Sequence, residues 1–192
     1  MGEITLKIDE REIKAEEEKT VLEVAKENGI EIPTHCHREP YEPVGACRLC
    51  LVEVQVPGAK PELKPACTYP IREGLKVKTS TAKVQEVRKL TAELLLARCP
   101  NSEEVRRIAE KLGVKKSRFS PKDLDCTLCG LCVRACKAAT GDNVIVFAGK
   151  GLNVEILTPS ELSSEECQSC GVCAEVCPTN AIKMLEIEEE KH

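Results

Sequence analysis

Cys126-Thr-Leu-Cys129-Gly-Leu-Cys132-Val-Arg-Ala-Cys136 and Cys167-Gln-Ser-Cys170-Gly-Val-Cys173-Ala-Glu-Val-Cys177-Pro178 are one cysteine run written twice. Each sets three cysteines three residues apart and a fourth four residues on. Only the second run closes on proline, and Lys137 stands where Pro178 stands in its twin. A looser set, Cys36, Cys47, Cys50 and Cys67, lies nearer the N-terminus, and Cys99 is left over from a total of 13 cysteines in 192 residues. Thiolates at this density are soft ligands for iron clusters or zinc. An odd count, Cys-x2-Cys spacings and an N-terminus without an apolar signal segment disfavour a disulfide framework.

The doubled run has the ligation pattern of two-cluster bacterial ferredoxins, in which three cysteines hold one cubane and the fourth crosses to the other. The crossed rule assigns one 4Fe–4S cluster to Cys126, Cys129, Cys132 and Cys177. It assigns a second to Cys167, Cys170, Cys173 and Cys136. The N-terminal set, Cys36, Cys47, Cys50 and Cys67, suits one 2Fe–2S cluster with two cysteines on each iron. Its first gap is longer than the plant-type spacing. Gly45 permits a tight loop whose N–H groups point at sulfur, and such bonds favour the reduced cluster and raise its potential. Zinc remains the alternative at any of the three sites, and iron and sulfide analysis separates the two.

Composition narrows the class. Aromatic residues are 2% and Trp is absent, so the core is aliphatic, and metal binding is expected to supply folding free energy. The net charge of −4 comes from interspersed charges with no basic stripe, which argues against a nucleic-acid partner. No apolar run is long enough to cross a membrane. The cytoplasm is the expected location. No Ser/His/Asp set, phosphate loop or paired-carboxylate motif is present, so no catalytic residues are expected on this chain.

The fold class read from the chain is α+β, in four segments. Residues 1–80 read as strand–strand–helix–strand–strand, the order of a β-grasp ferredoxin domain. Ile4, Leu6 and Ile8 alternate, a second strand covers Glu12–Ala15, Thr20 and Glu23 form a capping box before a helix over Val21–Asn28, and Gly29 ends it. Val52, Val54 and Val56 alternate again, and a last strand covers Leu75–Thr79. Residues 81–118 read as a helical spacer. Its first helix carries Val84, Val87, Thr91, Leu94 and Leu95 on one face; its second is capped by Asn101 with Glu104 and buries Val105, Ile108, Ala109 and Leu112. Residues 119–187 form the two-cluster domain with an inserted β-hairpin, Val144–Phe147 and Val154–Leu157, turned at Gly149-Lys-Gly151. Residues 188–192 are an acidic tail.

Ile32-Pro-Thr-His-Cys-His37, Gly45-Ala-Cys-Arg-Leu-Cys-Leu-Val-Glu-Val54 and Pro65-Ala-Cys-Thr68 resemble the N-terminal ferredoxin domain of a known family. That family comprises the large iron–sulfur subunit of complex I, the electron-input module of iron-only hydrogenases, and NAD-linked formate dehydrogenases. The resemblance runs on through Leu94-Leu-Leu-Ala-Arg98, Leu112-Gly-Val114, Arg118-Phe119, Phe147-Ala-Gly-Lys-Gly151 and both cysteine runs. It implies an electron-transfer subunit linking a flavoprotein that handles NAD(P)H to a catalytic metal subunit of hydrogenase or formate dehydrogenase type. Bifurcation with free ferredoxin belongs to the same expectation. The family's usual spacer holds a further 4Fe–4S cluster on one histidine and three cysteines, and here only Cys99 stands near the histidine's place. The catalytic domain that usually follows is absent from this sequence.

Cys99 reads as a small, partly buried side chain at a helix end, and His35 and His37 as groups behind a ligand or at the surface. Arg48, between two ligands, offers either charge compensation or a partner contact. A free-standing multi-cluster ferredoxin and a zinc-stapled interaction module are the competing functions. The spacer and hairpin favour the multi-subunit reading, because a free carrier has little use for extra docking surface.

Overall fold

The computed structural model describes residues 2–158 and 167–184, so the acidic tail 188–192 lies outside the described residues. The first half is a five-stranded sheet carrying one helix. Strands β1 (Glu3–Ile8) and β2 (Arg11–Glu16) form a hairpin, α1 (Val21–Glu27) follows, and β3 (Leu51–Gln55), β4 (Glu62–Pro65) and β5 (Lys76–Lys78) come after the first cysteine loop. The order across the sheet is β2-β1-β5-β3-β4, with β1 and β5 parallel and all other pairs antiparallel. Ile4, Leu6 and Ile8 point inward as their alternation predicts, against Val21, Leu22, Val24 and Ala25 of α1 and Val52, Val54 and Val77 of the sheet. Each large aliphatic side chain buried here contributes about 1.5–3 kcal/mol. The expected capping box is present: Thr20 Oγ1 accepts from the Glu23 N–H, and the Glu23 carboxylate accepts from the Thr20 N–H. Asp9 closes the first hairpin with φ 53° and accepts from both the N–H and the hydroxyl of Thr79 at 2.8 Å, which ties the turn to the end of β5.

Strand β4 is an addition to the expected order. Its Glu-Leu-Lys-Pro sequence has a single aliphatic residue and no alternation. It becomes a strand by pairing with the edge of β3, where the missing N–H of Pro65 is tolerated.

Helices α2 (Ala82–Arg98) and α3 (Glu103–Lys111) occupy the expected spacer. Two details are corrected. The α3 cap is Ser102, whose hydroxyl accepts from the Val105 N–H, while Asn101 donates its Nδ2 to Asp123 and accepts from Arg106 with its Oδ1. The buried face of α2 is Val84, Arg88, Ala92 and Ala97, with Leu94 half exposed. Leu90, Leu94, Leu95 and Leu96 crowd this helix on several sides, so aliphatic spacing alone does not choose a face. The small Ala92 packs with Ala109 and Val114, and Arg88 inserts toward the sheet. On α3, Val105, Ile108 and Ala109 are buried as expected.

In the last part each cysteine run leads into a helix, α4 (Leu131–Thr140) after Gly130 and α5 (Val172–Glu175) after Gly171. Helix α4 runs on through Lys137, whereas α5 ends before Pro178, whose ring would clash with a continuing helix. The hairpin consists of β6 (Val146–Ala148) and β7 (Glu155–Leu157), starting slightly later than expected. Val144 and Ile145 are instead buried beside Cys132 and Cys136. Gly149 is required at its turn: φ is 81°, and a Cβ there would meet the Asn153 carbonyl oxygen at 2.1 Å.

Candidate iron–sulfur cluster sites

The loop between α1 and β3 brings Cys36 and Cys47 together, and β4 delivers Cys67 beside Cys50. The Cys47 N–H donates to the Cys36 Sγ at 3.3 Å, and the Cys50 and Cys67 sulfurs stand 3.4 Å apart. Gly45 (φ 63°) and Arg48 (φ 59°) turn the loop so that its N–H groups face sulfur. The four thiols thus fall into two pairs. A hydrogen bond from the Cys47 thiol, with the Cys47 and Ala46 N–H groups and the Arg134 cation, brings Cys36 down to about 6 against the effect of burial. The Cys67 thiol, helped by the Cys67 and Ala66 N–H groups, brings Cys50 down to about 7. Within each pair the partner, Cys47 or Cys67, is pushed up because it donates its proton to the lowered thiolate. Protons shared between sulfurs are those a metal displaces.

In the two later runs the fourth cysteine of each lies near sulfurs of the other. Burial pushes Cys132 up to about 12, and the neighbouring sulfurs that add to the rise are Cys129, Cys126 and Cys177. Cys129 is likewise raised by burial, with Cys126 and Cys177 adding. Cys173 is raised by burial, then by Cys136 and Cys170. Burial opposes ionisation of Cys177, but the N–H groups of Ile182, Thr179 and Ala181 and the Thr179 hydroxyl outweigh it, so its thiol lies below the ordinary value. Cys177 therefore lies near Cys129 and Cys132, and Cys173 near both Cys136 and Cys170. Cys167 is exposed, and its place with the latter three rests on its spacing to Cys170.

The runs also share a backbone device. Leu128 (φ 58°) with Gly130 (φ 71°), and Ser169 (φ 50°) with Gly171 (φ 74°), hold matching left-handed positions. Such alternation turns successive N–H groups inward to make an anion-binding concavity, and the Leu128 N–H donates to the Cys126 Sγ at 3.4 Å. Among the described residues no three Cys, His, Asp or Glu side chains converge as the ligands of one bare ion do. Ligands of a cluster meet its corners and need no common centre. Free cysteines in N–H-lined loops, with Cys36, Cys50 and Cys177 held toward the thiolate, fit iron–sulfur clusters.

Three arginines that sequence reasoning passed over are built into these loops. Arg88 donates to the Leu51 carbonyl, next to Cys50, at 2.6 and 3.1 Å. Arg98 donates to the Cys126 carbonyl at 2.7 Å, and Arg134 to the Cys36 carbonyl at 2.6 Å. For Arg134 a signal was available, since an arginine between Cys132 and Cys136 on one helix has little reason to be there for solubility. Arg48, singled out for either charge compensation or a partner contact, is exposed. His35 is buried with its Nε2 2.8 Å from the Thr127 Oγ1, while His37 is half-buried at the edge of the loop. Cys99 caps α2 at the expected helix end but is fully, not partly, buried, and burial pushes its thiol up to about 11.

Comparison with known proteins agrees with this architecture. Residues 2–82 match the 2Fe-2S iron-sulfur cluster binding domain and residues 125–181 the 4Fe-4S dicluster domain. The chain is 32% identical to an NADH-quinone oxidoreductase subunit of Rhizobium meliloti over 93% of its own length and 24% of that protein's. It is 27% identical to NADP-reducing hydrogenase subunit HndD of Solidesulfovibrio fructosivorans over 95% of its own length and 36% of that protein's. It thus spans about a quarter to a third of these relatives. A chain from a crystal structure of NAD+-reducing [NiFe]-hydrogenase in the H2-reduced state superposes with a TM-score of 0.79 at 30% identity, covering 93% of this chain and 86% of that one. With both iron–sulfur domains matched in the same order, the chain belongs to the family of iron–sulfur electron-transfer subunits that serve NAD(P)-linked hydrogenases and complex-I-type oxidoreductases.

Proposed function

We propose that this chain is the relay subunit of a cytoplasmic NAD(P)H-linked multi-subunit oxidoreductase of hydrogenase or formate dehydrogenase type. A 2Fe–2S cluster is assigned to Cys36, Cys47, Cys50 and Cys67, with Cys36 and Cys47 on one iron and Cys50 and Cys67 on the other. One 4Fe–4S cluster is assigned to Cys126, Cys129, Cys132 and Cys177, and a second to Cys167, Cys170, Cys173 and Cys136. When bound, such clusters supply one-electron redox chemistry. The chain's own residues hold them, aim N–H groups at their sulfurs and line the sites with arginine.

The observation that carries this reading is the nearness of Cys177 to Cys129 and Cys132 of the other run, since a zinc-stapled module has no need of such an exchange. The β-grasp description of residues 1–80, the spacer 81–118, the two-cluster domain 119–187 and the tail 188–192 form the accompanying domain proposal. The partners proposed are a flavoprotein that handles NAD(P)H and a catalytic metal subunit, with free ferredoxin as a further acceptor or donor. Exposed Leu90 and Leu94 on α2 and Phe147 on the hairpin are the apolar surface offered to them.

Anaerobically purified protein should hold about ten irons, with matching sulfide and no flavin. The functional test is reconstitution: dye reduction by the flavoprotein should not need this chain, whereas turnover at the catalytic subunit should. NADH oxidation by the isolated chain, or full coupling without it, would sink the relay reading.

A further inference from the structure

The two cluster-bearing halves meet at a small joint, and its centre is Arg134. On α4 this residue lies two positions after Cys132 and two before Cys136. At about 100° per residue its side chain leaves the helix on the face away from both. One Nη donates to the Cys36 carbonyl at 2.6 Å and the Cys129 carbonyl at 3.4 Å. The other donates to the Glu42 carbonyl at 2.7 Å, and Nε to the Gly130 carbonyl at 3.2 Å. A single guanidinium thus bonds the loop of the 2Fe–2S site and the loop of the first 4Fe–4S site together. Every one of these acceptors is a neutral carbonyl, so the hydrogen bonds leave the positive charge uncompensated. Around it, buried His35 meets Thr127 at 2.8 Å, and Tyr41 packs against Leu131, Ala135 and Val176. These groups come from the Cys36 loop on one side and from the segments around Cys126–Cys136 and Cys177 on the other.

We propose that Arg134 is the positioning residue for transfer between the 2Fe–2S site and the 4Fe–4S site of Cys126, Cys129, Cys132 and Cys177. It fixes the spacing of the two ligand loops and sets one permanent cation between them. The proposal rests on the cluster assignments above. Arginine does not lose its charge in proteins, and a guanidinium fork can bridge several carbonyls where an ammonium cannot. A cation stabilises a site that gains negative charge on reduction, and its influence falls with distance. Both neighbouring clusters should therefore be held at higher potential by Arg134, and the second 4Fe–4S cluster should be affected least.

The test uses the full chain with its clusters, as wild type, Arg134→Gln and Arg134→Lys. Redox titration followed by paramagnetic resonance should show both neighbouring potentials falling in Arg134→Gln, with the second 4Fe–4S potential moving least and the magnetic interaction between the 2Fe–2S and first 4Fe–4S clusters altered. Amide exchange across residues 36–47 should quicken about tenfold, the scale of losing one charged hydrogen bond. Arg134→Lys should keep the potentials near wild type yet loosen the same amides. Unchanged potentials and unchanged exchange in an iron-replete Arg134→Gln would overturn the proposal, as would an equal shift of all three clusters. Should Arg134→Gln lose iron, Arg134→Lys decides: wild-type exchange at 36–47 overturns the clamp. Zinc in place of iron in the wild-type protein would refute the cluster reading, while the exchange arm would still judge the joint.

Discussion

Replacing Arg88 by methionine isolates the strongest link between the spacer and the sheet. The side chain is 6% exposed, and its Nε and one Nη converge on the Leu51 carbonyl at 3.1 and 2.6 Å. The ladder between β3 and β5 ends at the Glu53–Lys78 pair, so Leu51 has no partner in β5, and Arg88 supplies the donor. Methionine retains most of the aliphatic stem but leaves a buried carbonyl unsatisfied and removes two charge-assisted bonds. An orphaned group costs about 1–3 kcal/mol and a hydrogen bond to a charged group contributes about 1.5–3, terms that overlap here because they share one acceptor. A loss of about 2–4 kcal/mol is expected. At about 2–4 °C per kcal/mol for a chain of this size, the apparent Tm should fall by roughly 5–15 °C. Unfolding releases clusters irreversibly, so wild type and variant must be compared anaerobically at one scan rate. Arg88→Lys, with one donor group reaching the same carbonyl, should fall between them. A shift below about 2 °C for Arg88→Met, or full retention in Arg88→Lys, would show that the carbonyl finds another donor and that this bond does not hold the spacer in place.

Cys177→Ser should remove about four irons, with the spectral signature of the first 4Fe–4S cluster, and Cys136→Ser should remove the second; damage confined to each residue's own run would refute the exchange of fourth cysteines. Cys99→Ala should leave the iron content unchanged. With its thiol pushed up to about 11, Cys99 presents only about 0.1% thiolate at pH 8 and should resist alkylation in the folded protein, as mass spectrometry of the trapped peptide would show. The same raised value means that the folded state holds this proton longer than the unfolded state does, so its contribution to stability declines as pH climbs from about 8.5 toward 11. Gly149→Ala should destabilise the β6–β7 turn by more than about 1 kcal/mol, because the new methyl meets backbone and not a movable side chain; hydrogen exchange localised to residues 146–157 would register it.

What was legible in the sequence was what depends on local rules. The alternation of Ile4, Leu6 and Ile8, the Thr20–Glu23 box and the glycine stop at Gly29 each follow from residues a few positions apart. The doubled run was legible for a different reason: its spacing is dictated by the shape of a cubane and not by the surrounding fold. What escaped was non-local. Strand β4 exists because β3 offers an edge, and the buried face of α2 is selected by Ala109 and Val114 across the helix pair. Asn101 and Ser102 are both competent caps, and Ser102 caps while the Asn101 Oδ1 accepts from Arg106 and its Nδ2 donates to Asp123, more than twenty residues on. Arg88, Arg98 and Arg134 escaped for the same cause, since a carbonyl acceptor 28 to 98 residues away leaves no periodic trace.

The distribution of apolar burial explains why cysteines are so closely tied to the fold itself. One aliphatic cluster fills the N-terminal sheet, with Cys50 and Cys67 among its members. Among the described residues beyond it the buried clusters are small: Ala92, Ala109 and Val114 between the spacer helices; Cys132, Cys136, Val144 and Ile145 behind the hairpin; Leu131, Ala135 and Val176 between α4 and α5. Clusters of three or four residues, without tryptophan to enlarge them, bury too little area to offset the entropy of ordering the loops that carry Cys126 to Cys136 and Cys167 to Cys177. Those loops are also held in left-handed conformations at Leu128 and Ser169, which cost energy in a free chain. The cluster binding proposed above, which would deprotonate four thiols and close a loop across both runs, would supply the missing term, because metal-binding free energy in a site absent from the unfolded chain is folding free energy. The crossing proposed for Cys136 and Cys177 would then have a structural consequence apart from any redox one: neither run could complete its site until the other had arrived, so the C-terminal half would fold as one unit with its metal.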